Sequence, residues 1–251
     1  ISIVFIINIL IAPTEASEIK DFFLPEKVKL VQLNPKGDKA LVKIHHENNY
    51  LLMVLDLTTM QKQIVFYQPT KIFGHADVVD NIRQSRWVND TTLFIVEKSP
   101  YENQTSQLIK IKTNADGTMS HQLEPIKSAY KRFLFPSLYE QGSAFVSYNN
   151  RKGGVSIEKF DVKEHEYSDP LNDDLKVARR WLFDAQENLR VGWGIVEDQL
   201  LVWHRYDNDD DWDVILKRPA DSKDTFIPAA MAEDGKKILF YTNVGRDFLA
   251  L

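Results

Sequence analysis

Beyond residue 25 the apolar positions come in short runs broken by turn signals, without the 3.6-residue rhythm of an amphipathic helix. Residues 41–44, 51–57, 93–96, 108–111, 144–148, 155–157, 189–193, 199–203, 213–216 and 238–241 each read as a strand. β-branched and aromatic residues are frequent in them, as a pleated, half-buried surface requires. Helix is expected only in two connections, at residues 174–181 and 229–232.

Turn chemistry separates the runs. Asn34-Pro35-Lys36-Gly37-Asp38 carries Pro to preset φ and Gly to supply a positive one. Asn114-Ala115-Asp116-Gly117 and Glu233-Asp234-Gly235-Lys236 are hairpin signals of the same kind. Gly37-Asp38-Lys39-Ala40-Leu41-Val42 repeats as Gly235-Lys236-Lys237-Ile238-Leu239-Phe240, with Asn89–Phe94 and Gln141–Val146 in equivalent places between. Leu41, Leu93, Phe145, Val191 and Leu239 then mark steps of 52, 52, 46 and 48 residues. In Leu55-Asp56-Leu57 and Phe160-Asp161-Val162 an Asp precedes a turn. A period near 40–50 with several strands per unit is the signature of propeller blades. The fold class expected is all-β, a β-propeller. Four blades lie between Pro25 and Pro219, and a fifth starts near Phe226. Leu251 would then fall in mid-blade, so an incomplete ring is expected.

The N-terminus departs from this pattern. Residues 1–12 are an apolar run too short for a spanning helix. It reads either as a signal-peptide core or as a buried first strand. The change to charge at Glu18-Ile19-Lys20-Asp21 and the small Ala16 favour the signal. Residues 1–16 are therefore expected to be a signal peptide clipped at its start, and 17–251 a partial propeller domain. Such a protein would act outside the cytoplasm, periplasmic or secreted, with no stable membrane span in the mature chain. Composition is ordinary for a globular chain, at 43% hydrophobic and 27% charged. The absence of cysteine excludes disulfides, a thiol nucleophile and cysteine-ligated zinc. A net charge of -5, with no Lys/Arg cluster, argues against nucleic acid as a partner.

Three segments resemble the prolyl oligopeptidase family of serine peptidases, especially its dipeptidyl and acylaminoacyl peptidase-like members. Asp234-Gly235-Lys236-Lys237-Ile238-Leu239-Phe240-Tyr241-Thr242-Asn243-Val244-Gly245-Arg246-Asp247 is similar to that family's DGK-x-L-x-x-x-SN-x-GRD blade opening. Ser85-Arg86-Trp87-Val88-Asn89-Asp90-Thr91-Thr92-Leu93 is similar to its W-V-(D/N)-D-x-x-L strand. Asn34-Pro35-Lys36-Gly37-Asp38 stands where the family has SPDG. The resemblance implies a propeller that gates peptide access to an α/β-hydrolase domain. Nucleophile, acid and histidine would all lie in that downstream domain of the parent protein. A peptide substrate is the partner implied.

Within the chain itself no catalytic, cofactor-binding or metal residue is assigned. The G-x-S-x-G of an α/β-hydrolase is absent. Gly154-Val155-Ser156-Ile157-Glu158 starts that motif and fails at Glu158, in a strand pattern. The acidic run Asp207-Asn208-Asp209-Asp210-Asp211 has Trp212 where a calcium loop needs Gly, and Arg218 where it needs a carboxylate. A solvated hairpin turn between Trp203 and Val214 is expected instead. His45-His46 would point to opposite faces of a strand and cannot chelate together. His75, His121, His165 and His204 read as surface or turn residues. Trp87, Trp181, Trp193, Trp203 and Trp212 read as blade packing, with an aromatic-lined groove as the alternative. Arg179, Arg180 and Arg246 read as partners of blade carboxylates, with a substrate anion as the alternative. Asn89-Asp90-Thr91 and Asn103-Gln104-Thr105 fit a glycosylation pattern. The expected function is a non-catalytic, substrate-gating propeller of a secreted serine peptidase. The alternative is a stand-alone propeller that binds a peptide, glycan or protein.

Overall fold

The computed structural model describes residues 28–46, 49–69, 82–97, 105–126, 131–232, 235–245 and 249–250. The proposed signal segment, His75, Asn103 and Arg246 lie outside them. Among the described residues there are eighteen strands, and no helix is long and apolar enough to cross a membrane. The chain divides into two compact units, Ile1–Ala129 and Tyr130–Leu251.

The first unit holds two four-stranded antiparallel sheets. One is β1 (Val28–Leu33), β2 (Lys39–His46), β3 (Asn49–Asp56) and β4 (Lys62–Pro69), in that order. The other is β5 (Ile82–Trp87), β6 (Thr92–Glu97), β7 (Thr105–Thr113) and β8 (Met119–Ile126), again in chain order. Leu41, Leu52 and Val54 of the first sheet pack with Trp87, Leu93 and Ile95 of the second. A strand buried on both faces reads as an unbroken apolar run. That is why Leu93-Phe94-Ile95-Val96 of β6 is apolar throughout and wholly buried.

The second unit repeats the arrangement. β9 (Arg132–Pro136), β10 (Ser143–Asn149), β11 (Val155–Asp161) and β12 (Glu166–Tyr167) form the third sheet. β13 (Arg180–Phe183), β14 (Leu189–Val196), β15 (Gln199–His204) and β16 (Asp213–Pro219) form the fourth. β17 (Phe226–Met231) and β18 (Ile238–Thr242) pair as a two-stranded sheet. The architecture is therefore all-β, with four propeller blades and the first two strands of a fifth. Among the described residues no strand pairing joins one sheet to another, so no ladder closes the set.

Three local features recur with the blades. The period anchors Leu41, Leu93, Phe145, Val191 and Leu239 all lie on the second strand of a sheet. The first strand pair of every sheet carries a register shift, whereas the second pair of each four-stranded sheet is regular. A bulge there sharpens the twist of the pair where the blade begins. Finally, the turn into the second strand is closed by one backbone hydrogen bond in all five: from the N–H of Asn34, Val88, Ser137, Asp184 and Ala232 to the carbonyls of Lys39, Thr92, Ser143, Asn188 and Lys237, at 2.8–2.9 Å. Gly37 sits in the first of these turns at φ 78°, a conformation that excludes most side chains. The repeated Asp is a turn device. Asp56 Oδ1 accepts the amides of Thr58 and Thr59, and Asp161 Oδ1 those of Lys163 and Glu164, all at 2.7–2.9 Å.

Two helical expectations are corrected. Residues 174–179 are turn and extended chain, and Arg180–Phe183 is strand β13. The wholly buried Asn172 dictates this: its Oδ1 accepts Ile157 N–H (2.9 Å), and its Nδ2 donates to Val155 O (3.1 Å). One turn later Val155 N–H donates to Ala178 O at 2.8 Å. The segment thus completes a sheet whose fourth strand, β12, has only two residues. Residues 229–231 belong to β17, where Ala230 pairs with Leu239 and Met231 with Ile238. Pairing overrides the helical preference of alanine; Ala229 is the unpaired bulge residue, and Pro228 sits beside it, where a proline is tolerated.

Candidate functional site

The β13–β14 turn builds the most elaborate polar site of the second unit. Asp184 is almost wholly buried, with its side chain 3% exposed. Its Oδ1 accepts the amides of Gln186 (2.9 Å) and Asn188 (2.8 Å). Its Oδ2 accepts Asn188 Nδ2 (3.0 Å) and Arg190 Nε (2.8 Å). Burial works against the Asp184 charge, but the Asn188 and Arg190 donors outweigh it and hold the carboxyl below its ordinary range.

The turn so fixed puts Glu187 at φ 64° and aims its carboxylate at the β9–β10 loop. Glu187 accepts Ser137 Oγ–H (2.6 Å) and Leu138 N–H (2.5 Å), and Tyr139 O–H donates to Ala185 O (2.8 Å). This latches the turn of one blade to the same turn of the next. The first unit uses the same device. Asp90 Oδ1 accepts Lys36 N–H (2.8 Å), and Asp90 O accepts Asn34 Nδ2–H (3.1 Å). Trp87 Nε1 donates to Gln32 O beside it (3.2 Å).

Against the Glu187 turn lies a cleft of about 320 Å³. Phe145, Leu171 and Leu189 supply its apolar lining, and Lys159, Glu187, Asn188, Arg205 and Asn208 its polar groups. Arg205 is 7% exposed. Its Nε donates to Leu189 O (2.9 Å), Nη1 to Asn208 O (3.3 Å) and Nη2 to Leu171 O (3.3 Å). The Trp212 ring lies 4.5 Å from the guanidinium carbon. Among the described residues no carboxylate lies within ion-pair distance of Arg205. Burial depresses the Arg205 pKa, the carboxylates of Asp174 and Asp209 oppose that from farther off, and Arg190 reinforces it. Lys159 pairs with Glu140. The cleft can therefore hold an anionic group against the guanidinium and an apolar group against Phe145.

The residues singled out from sequence lie mostly elsewhere. Ser156 is buried on β11 and accepts a hydrogen bond from Asn150 Nδ2 (3.1 Å), as an ordinary strand residue. The acidic run forms the β15–β16 hairpin loop, and Trp203 pairs with Val214 across it. His45 packs on the Tyr50 ring (4.9 Å). His165 sits in a turn, but His204, expected at the surface, is buried at the end of β15. Burial, then Arg190, lowers the His204 pKa. His121 approaches Gln63 Nε2 (3.4 Å) from β8. Trp87 and Trp203 are core, and Trp181 meets Trp212 edge-on at 5.5 Å. Arg179 and Arg180 were expected to pair with carboxylates. Both are exposed, and among the described residues neither has such a partner. Asn89 Oδ1 is occupied by Thr91 N–H (3.0 Å) in its turn.

Sequence reasoning missed Asp184, Glu187, Arg190 and Arg205. The available signal was an Arg inside Leu189-Arg190-Val191 and another, one residue past the apolar run Leu200-Leu201-Val202-Trp203, after His204. A charge set in a buried strand needs a partner.

No family model matches the chain, and no curated protein matches it. Among solved structures it is similar to the β-propeller domain of the trilobed protease from Pyrococcus furiosus (15% identity, TM-score 0.47, 86% of this chain and 63% of that one). It is also similar to TolB from Acinetobacter baumannii (10% identity, TM-score 0.47, 86% and 53%). A third is the Pyrococcus horikoshii acylaminoacyl peptidase (14% identity, TM-score 0.38, 86% and 35%). The chain thus spans less than two thirds of the length of each.

Proposed function

We propose that this chain is the non-catalytic, substrate-gating propeller region of an extracytoplasmic serine peptidase of the prolyl oligopeptidase type. The observation that carries the reading is where the family-like segments fall. Asn34-Pro35-Lys36-Gly37-Asp38 and Trp87-Val88-Asn89-Asp90 occupy the same turn of successive blades, and they are hydrogen-bonded to each other. In this reading residues 1–16 direct export. The blades restrict access to peptides, and a following α/β-hydrolase domain supplies nucleophile, acid and histidine. No residue of this chain performs chemistry.

The test is the reading frame beyond Leu251 and its product. A G-x-S-x-G motif within a few hundred residues is expected. The whole product should then hydrolyse a dipeptidyl p-nitroanilide and react with a fluorophosphonate probe, and residues 1–251 alone should do neither. A stop codon shortly after Leu251 refutes the reading. So does turnover by the chain alone that a substitution within it abolishes. The cleft favours a second reading, a stand-alone propeller whose role is to bind a ligand.

A further inference from the structure

The Arg205 cleft carries an inference that holds under either reading. A guanidinium this buried is costly unless its charge is answered. Three of its five N–H groups go to the carbonyls of Leu189, Asn208 and Leu171, which leaves one N–H on each Nη. One donor on each Nη is what a carboxylate needs to accept two charge-assisted hydrogen bonds. The carbonyls and the Trp212 face stabilise the cation, but neither neutralises it. The second cation of the cleft, Lys159, is already paired with Glu140, and its Nζ lies 5.9 Å from the centre of the Phe145 ring. Glu187 sits at the same cleft, which disfavours a doubly charged ligand. At about 320 Å³ the space suits a group the size of one amino-acid residue.

We infer that this cleft binds a small organic monocarboxylate bearing an apolar substituent, with Arg205 as the carboxylate fork and Phe145, Leu171 and Leu189 around the substituent. A peptide C-terminus and a free aryl-alkyl acid present the same chemistry.

The experiment is calorimetric titration of the full chain with N-acetyl-L-phenylalanine, its C-terminal amide, and inorganic phosphate. Saturable binding of the acid is expected, at least about tenfold tighter than the amide, because one charge-assisted fork is lost. Phosphate should compete weakly. Arg205→Met should abolish acid binding, and Lys159→Met should weaken it about threefold through lost charge alone. Circular dichroism of each variant checks folding. If Arg205→Met fails to fold, the acid-to-amide ratio of the unaltered chain and Lys159→Met decide. No saturable binding of the acid at millimolar concentration overturns the inference. So does equal binding of acid and amide, or tighter binding of phosphate. Acetyl-Ala-Ala-Phe and 3-phenylpropionate separate the two sources. Tighter binding of the tripeptide identifies a peptide terminus, and tighter binding of phenylpropionate a free acid.

Discussion

Replacing Asp184 with Ala tests whether one buried carboxylate organises the β13–β14 turn. The side chain accepts two backbone amides, the Asn188 amide group and the Arg190 Nε–H. The amides lie in a part-buried turn, where water can replace the carboxylate at modest cost. Arg190 has no such recourse: its side chain is 10% exposed, and its other partner, Asn208 Oδ1, is distant at 3.5 Å. Stranding a buried charge in this way costs about 3–5 kcal/mol. Urea unfolding followed by tryptophan fluorescence reads this well, since four of the five tryptophans lie in Tyr130–Leu251. The midpoint should fall with little change in slope. Asp184→Leu with Arg190→Met removes both charges and should recover most of the loss, because the cost lies in the unpaired cation. A second readout is local. Without the turn, Glu187 releases Leu138 and Ala185 O releases Tyr139, residues that are 82% and 67% exposed. Chymotrypsin cleavage after Tyr139 should then quicken. An Asp184→Ala variant within about 0.5 kcal/mol of the parent chain refutes the account, being the size of an ordinary surface change.

Gly154→Ala tests the segment that completes the third sheet. Its Cβ would lie 2.3 Å from Lys176 O and 2.5 Å from Ala178 O, both backbone atoms that cannot rotate away. A loss of about 2–3 kcal/mol is expected in the same urea assay, and a neutral result would show that residues 176–178 shift freely. Acid sensitivity tests the first unit. Lys36 above all, then Asn34 and Lys39, lower the Asp38 pKa to about 2 against the cost of burial. A carboxyl depressed on folding stabilises above its unfolded pKa, and that contribution fades as pH falls through the folded value. Stability should thus decline between about pH 4 and 2, and Asp38→Asn should be less stable at neutral pH with a shallower acid decline. An unchanged profile in Asp38→Asn would refute the assignment.

What was legible in the sequence follows from burial. In the first three sheets the second and third strands are largely covered on both sides, so they read as apolar runs. All ten predicted runs coincide with strands, nine of them second or third strands; the tenth, 213–216, lies on the fourth strand β16, where Val214 and Ile215 are exposed. The first and fourth strands are partly solvated and polar at alternate positions. Met119–Ile126, with the pattern Met-Ser-His-Gln-Leu-Glu-Pro-Ile, gives no run to detect. The blade count and the fifth start at Phe226 were readable because the turn into each second strand recurs. Its chemistry was not readable, because it depends on which turn lies beside which. Asp90 and Glu187 are dissimilar in type and setting, yet each accepts the backbone amide two or one residues past the start of the preceding blade's turn, at Lys36 and Leu138. A carboxylate one blade on, added to the local backbone hydrogen bond, ties down each of these turns. The cleft follows from the same placement: the latch fixes Glu187, Asn188 follows it, and Asp184 behind them ties down Arg190. Any search of a single blade's sequence for this site would therefore miss it, since its residues come from the β10 and β11 strands of one blade, the segment after them, and two turns of the next.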